Sequence, residues 1–314
     1  MSDPKRIRIV FLGTPGFAAC SLEKLVQEKY NVVGVVTAPD KPAGRGQQIH
    51  QSEVKLSAVK NHIPVLQPEK LKSPEFLEQL KQLNPELMIV VAFRMLPEVV
   101  WSLPKMGTFN LHGSLLPHYR GAAPINWAIM NGETKTGVTT FLLQQEVDTG
   151  NVLLREEISI GANETAGELH DRMMVIGAEL VVQTINGLSD NSLRAQNQAT
   201  FISENEILHD APKLFRETCK INWAWNGERI RNHVRGLNPF PTAWAELKRD
   251  DGTLLPMKIF SCQFGKGIPV GLPGTINSKL SINVADGTLI INELQAPGKK
   301  RLYAEEFLKG FKFT

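Results

Sequence analysis

Asn110 and His112 stand two residues apart in TFNLHGSLLPHYRG (108–121), on a stretch that reads as a β-strand. Strand side chains alternate between faces, so these two share one. An amide and an imidazole on a buried strand are costly unless something satisfies them. In the bland outcome both hydrogen-bond a neighbouring loop. In the other they form a site, because the strand is expected to end near Gly113. Open α/β sheets bind ligands beyond the carboxyl ends of their strands. Asp148 lies in the turn VDTG between two further strand runs. Turn punctuation accounts for such an Asp. Set beside His112, it would fix the ring's tautomer and stabilise the imidazolium, which is acid–base chemistry.

A frame has to bring these residues together. IRIVFL (7–12) is a short buried-strand run ending at Gly13, followed by Phe17, Leu22, Leu25 and Val26 at helical spacing. VVGVVT (32–37) is a second strand. Ser73 and Pro74 read as an N-cap and first helical residue, with Phe76, Leu77, Leu80 and Leu83 on one face. LMIVVAF (87–93) is continuously apolar, as a strand buried on both faces must be. Two more strands are expected at 137–143 and 152–160. Thr165 and Glu168 form a capping box for a helix closing near Gly187. This alternation predicts an α/β, Rossmann-like N-terminal domain with a mostly parallel sheet over 1–189. Residues 190–209 are polar and weakly patterned, as a linker would be. From 210 to 314, a helix-like WNGERIRNHVRGL precedes short strands broken at RDDG and ADG, which predicts a small antiparallel β-barrel domain.

Composition narrows the function classes. The chain is 42% hydrophobic and 21% charged, ordinary for a globular protein. No apolar run approaches the roughly 20 residues of a membrane span, and the N-terminus reads as a strand rather than a signal peptide. Three cysteines without CxxC spacing suggest neither a disulfide framework nor a zinc site, so a cytoplasmic location is expected. Carboxylates and histidines do not cluster, so no metal is implied. Residues 210–314 carry 16 Lys and Arg against 10 Asp and Glu, which points to a polyanionic partner or to solubility alone. Lys41 and Arg45 sit in the Gly- and Pro-rich loop TAPDKPAGRGQQ, suited to touching phosphates or to being plain surface. Asp40 after the Gly13 turn loosely mimics a dinucleotide site. However, that turn reads GTPG, without GxGxxG, and Pro15 removes an amide from it.

The chain resembles the methionyl-tRNA formyltransferase family over nearly its whole length. The resemblance is carried by FLGTPGFA, VVGVVTAPDKPAGRG, NLHGSLLPHYRGAAPINW, VDTGNVL, APKLFRETCKINW, NPFPTAW and LQAPGKKRLYAEEFLKG. It implies transfer of the formyl group of 10-formyltetrahydrofolate to the amino group of methionyl initiator tRNA. It further implies a folate-binding N-terminal domain and a C-terminal OB-like β-barrel that helps hold tRNA. Asn110, His112 and Asp148 match the family's catalytic positions, and Ser114, Leu115, Leu116 and Pro117 its folate-contacting segment. Lys41 and Arg45 fall in its tRNA-contacting loop. On this reading Asn110 donates to the oxyanion, and His112 assists it or protonates the departing nitrogen. Asp148 orients His112 and helps deprotonate the amine. A monomer that binds no membrane is expected. Formyltransferases acting on nucleotide-linked aminosugars share the central motif, so the acceptor rests on the PAGRG loop and the C-terminal segments. A binding protein without activity is the other class of reading. Gly16 stands where the family usually has an acid, and Phe93 and Arg94 replace its usual Tyr-Gly.

Overall fold

The computed structural model describes residues 3–43, 48–249 and 251–312. In chain order the first elements are β1 (Ile9–Gly13), α1 (Gly16–Gln27), β2 (Val32–Val36), β3 (Lys41–Ala43) and β4 (Gln48–His50). Next come α2 (Glu53–Lys60), β5 (Val65–Leu66), α3 (Pro74–Gln82), β6 (Leu87–Val91) and the single turn α4 (Glu98–Trp101). β7 (Thr108–His112), β8 (Arg120–Gly121), α5 (Pro124–Met130), β9 (Lys135–Leu142), β10 (Val152–Ser159) and α6 (Ala166–Ser189) follow. The remainder holds β11 (Asp210–Ala211), α7 (Gly227–Gly236), β12 (Ala243–Lys248), β13 (Leu254–Lys266), β14 (Ser281–Val284), β15 (Gly287–Gln295), β16 (Leu302–Tyr303) and α8 (Ala304–Phe307).

Two compact units divide these elements. The first takes residues up to Gly121, Gly137–Ile158 and His170–Asp210; the second takes Ala122–Thr136, Ser159–Leu169 and the residues from Ala211 on.

The first unit is built on a seven-stranded sheet of order β10-β9-β7-β6-β1-β2-β5. β5, β2, β1, β6 and β7 pair in parallel, and β9 joins β7 antiparallel. Leu87, Met88, Ile89 and Val91 of β6 are fully buried, each worth about 1.5–3 kcal/mol of apolar burial. That explains the unbroken apolar run. Local signals also hold. The Ser73 hydroxyl accepts from the Phe76 N–H at the start of α3. Glu168 Oε2 accepts from the Thr165 N–H at 2.9 Å, closing the capping box of α6. The chain runs β1, β2, β5 outward and then returns to place β6 on the other side of β1. The topological switch therefore lies between β1 and β6, where such sheets bind ligands. Gly13 is required there: a Cβ on it would lie 2.5 Å from Ala18 Cβ and 3.0 Å from the Val91 carbonyl oxygen. The basic loop expected at 37–48 is entered and left by paired strands, Lys41 opposite His50 and Pro42 opposite Ile49.

The second unit carries a five-stranded antiparallel sheet, β12-β13-β15-β14, with β16 on β15. Burial alternates along β12: Ala243, Ala245 and Leu247 are buried, while Glu246 and Lys248 are exposed. The Val284–Gly287 pair closes the hairpin expected at ADG. Ile230 and Val234 of α7 share one core with Met257, Ile259, Ile282 and Ile291 of the sheet. Among the described residues no helix is long and apolar enough to cross a membrane.

Candidate active site

β7 ends on Asn110, Leu111 and His112, the first two in register with Val90 and Val91 of β6. The face that Asn110 and His112 share is therefore presented beside the topological switch. Asn110 is half-buried, and its Oδ1 is buried without a hydrogen-bond partner. Buried polar atoms rarely stay unsatisfied, so such an amide at a strand end is poised for a ligand. His112 is 6% exposed and sits edge-on to Phe141, ring centroids 6.5 Å apart.

The imidazole of His112 is held by the main chain. Its Nε2 lies 2.8 Å from the Tyr119 carbonyl oxygen. A carbonyl only accepts, so Nε2 carries the proton. Nδ1 then faces Asp148 Oδ2 at 3.8 Å, too far for a hydrogen bond. The bond that orients the ring thus comes from Tyr119, whereas the expectation from sequence assigned that task to Asp148. Asp148 has φ +55, and its Oδ2 accepts from the Gly121 N–H at 2.9 Å. Tyr119 also lies in the left-handed region, at φ +59. Such conformations persist only where surrounding contacts over-determine them.

Ser114–Pro117 lead from β7 into this loop. The Ser114 hydroxyl donates to the His118 carbonyl at 2.6 Å, and its own carbonyl accepts from Thr139 Oγ1 at 2.6 Å. Leu116 N–H donates to the same Thr139 hydroxyl at 3.2 Å. Leu116 is fully buried with Phe141 and Val152, and the Leu116–Pro117 peptide is cis. Pro117 is buried as well, which leaves Leu115 as the half-buried side chain of the four.

Lys41 is exposed on β3, and Arg45 lies outside the described residues. Asp40 is not a ribose ligand in waiting. It pairs with Lys55 and accepts from Gln67 Nε2 at 2.7 Å, and the Lys55 ammonium bonded to it lowers its pKa. Arg94 bonds the Pro68 and Glu69 carbonyls, and Phe93 packs against the core beside β6. In the second unit Trp223, Trp225 and Trp244 pack against its core, and Arg216 and Lys220 sit 4.8 and 5.0 Å from the Trp244 ring.

Sequence reasoning missed Tyr119, Gly121 and Gln198. Gln198 Nε2 donates to the Asp148 and Gly150 carbonyls, each at 2.8 Å. Tyr119 and Gly121 act through main-chain atoms, and Gln198 stands alone in a polar run, so no residue-type pattern marks them.

Comparison with known proteins gives the family. The sequence matches the formyl transferase family over residues 6–185 and the formyl transferase C-terminal domain over 213–312. It is 46% identical over 314 residues to a methionyl-tRNA formyltransferase of Bacteroides thetaiotaomicron, covering 98% of this chain and 97% of that one. The match to that of Parabacteroides distasonis is 49% over 311 residues, covering 98% and 96%. Two solved structures share the fold. HypX from Aquifex aeolicus in complex with tetrahydrofolic acid superposes with a TM-score of 0.65 at 18% identity, over 98% of this chain and 48% of that one. The sugar 3N-formyl transferase WlaRD gives a TM-score of 0.65 at 19% identity, over 94% and 99%. With close relatives matched end to end and both family domains present, the chain belongs to the methionyl-tRNA formyltransferase family.

Proposed function

We propose that the protein transfers the formyl group of 10-formyltetrahydrofolate to the amino group of methionyl initiator tRNA, with Asn110, His112 and Asp148 as its catalytic groups. The observation that carries this is the approach of Asp148 Oδ2 to His112 Nδ1, on the face of β7 that also bears Asn110. The reaction is attack of an amine on a formyl carbon, after which that carbon's bond to the folate nitrogen breaks and the departing nitrogen takes up a proton while the amine gives one up. It needs a donor to the developing oxyanion and a group that moves a proton. The Asn110 carboxamide is a donor that stays neutral at every working pH, and such a donor is worth about 2.7–4 kcal/mol of barrier. His112, protonated at Nε2 in its neutral form, takes or gives a proton at Nδ1. Asp148 stabilises the resulting imidazolium. No covalent enzyme intermediate is needed.

In this reading Ser114–Pro117 contacts the folate through main-chain groups and Leu115, because the Leu116 side chain is committed to the core. Lys41 and Arg45 contact tRNA phosphate. Residues 1–189 form the catalytic domain and 210–314 the tRNA-binding domain, whose charge excess suits a polyanion, while 190–209, expected as a linker, is bonded to the first unit through Gln196, Gln198 and His209. The protein acts as a cytoplasmic monomer without a metal. The test offers purified protein 10-formyltetrahydrofolate with methionyl-tRNA, with free methionine, or with an aminosugar nucleotide. Formylation of the tRNA-bound amine alone is expected. Formylation of the aminosugar would replace the acceptor, and no formylation of any amine would overturn the proposal.

A further inference from the structure

Gln198 opens a short 3-10 helix, Gln198–Phe201, and is 3% exposed. Its carboxamide is fully used. The two Nε2 hydrogens go to the carbonyls of Asp148 and Gly150. Its Oε1 accepts from Arg120 Nε at 3.0 Å and from the second guanidinium nitrogen at 2.6 Å. Arg120 lies between Tyr119, whose carbonyl holds His112, and Gly121, whose N–H holds Asp148. One side chain thus ties the loop after β7 to the loop that carries Asp148. The segment around it is anchored on both sides. Gln196 and Val152 exchange backbone hydrogen bonds at 2.8 Å each, and the His209 carbonyl accepts from the Tyr119 N–H at 2.6 Å. Asp148 itself occupies a left-handed backbone conformation, which a non-glycine residue keeps only under external restraint.

We infer that Gln198 is a positioning residue for catalysis: its amide fixes the Asp148 backbone so that the carboxylate stands opposite His112 Nδ1. The inference rests on the reading of Asp148 as a catalytic group. A buried amide with all four hydrogen-bonding positions satisfied is rigid, and removing it leaves two loop carbonyls and a guanidinium without their partner.

A double-mutant cycle on the full-length protein tests this in the methionyl-tRNA formylation assay. Gln198→Met keeps the side chain's length and removes every hydrogen bond. It should lower kcat by about 10- to 100-fold with KM for both substrates nearly unchanged, the size expected for misplacing an acid–base group. Gln198→Glu keeps the acceptor for Arg120 and loses the donors to the two carbonyls, so its kcat should fall as far while the segment stays docked. Because Gln198 acts through Asp148, Gln198→Met should change kcat less than about twofold in an Asp148→Asn background. Equal losses in both backgrounds, or wild-type kcat in Gln198→Glu, would overturn the inference. Asp148→Asn alone reads the underlying assignment. Wild-type turnover in that variant would remove Asp148 from catalysis and the role of Gln198 with it.

Discussion

His112 and Asp148 face each other across 3.8 Å without a hydrogen bond, because the His112 Nε2–H is given to the Tyr119 carbonyl at 2.8 Å. The ring is therefore held by one nitrogen, and the other faces the carboxylate.

The tautomer is the most direct test of that arrangement. Nitrogen-15 NMR of the imidazoles, with the His112 signal assigned by its loss in His112→Gln, should show the Nε2–H form when the ring is neutral. A neutral ring protonated at Nδ1 would mean that the Tyr119 carbonyl does not hold it.

Asn110 supplies the second measurement. Asn110→Ala should cut turnover by about 10²- to 10³-fold, as loss of an oxyanion donor does, with little change in folate affinity. Single-turnover formylation with saturating substrates reads the first quantity, and folate titration reads the second. Turnover within a fewfold of wild type would remove Asn110 from that role.

The basic loop predicts a salt effect. Arg45→Ala should weaken tRNA binding and flatten the dependence of log K on log salt by about one. Lys41→Ala should act in the same direction. Filter binding of methionyl-tRNA across a salt series measures both, and an unaltered slope would place the phosphate contacts elsewhere.

His233 predicts a pH effect on stability. It is 3% exposed on α7, edge-on to Trp225, and burial pushes its pKa down to about 4. Arg229 nearby pushes the same way, while a hydrogen bond to the Cys219 backbone opposes it. The unfolded chain titrates near pH 6.5, so between about 6.5 and 4 the unfolded state binds a proton that the folded state refuses. The stabilisation from keeping this ring neutral is complete above pH 6.5 and is lost as pH falls toward 4, at up to about 1.4 kcal/mol per pH unit. Denaturant titrations from pH 7 to pH 4.5 should show that decline, and His233→Phe should flatten it. An identical decline in the variant would assign the proton to another group.

Much of the fold was legible because its causes are local. Ser73, Pro74, Thr165 and Glu168 cap helices by bonds within four residues, and the β6 run is apolar because both faces are covered. Asn110 and His112 were legible for the same reason, since strand period alone sets their common face. Asp148 was not. β9 runs antiparallel to β7, passes His112 at Thr139 and ends with Leu142 opposite Phe109, three residues beyond it. The loop after it must turn back to bring Asp148 to the ring, and nothing in VDTG encodes that return. The ordered contacts of Gln196, Gln198 and His209 were hidden likewise, because a polar segment that satisfies loop carbonyls has no periodicity to detect.

The Gly121 N–H has one more consequence. It bonds Asp148 Oδ2, the same oxygen that faces His112 Nδ1. An amide N–H sorts oxygen from nitrogen, since it can bond only the acceptor end of a carboxamide. Asp148→Asn would therefore enter the site with its oxygen already turned toward the ring. The exchange removes one unit of charge and leaves the shape of the site as it was, so its kinetic cost isolates what that charge contributes.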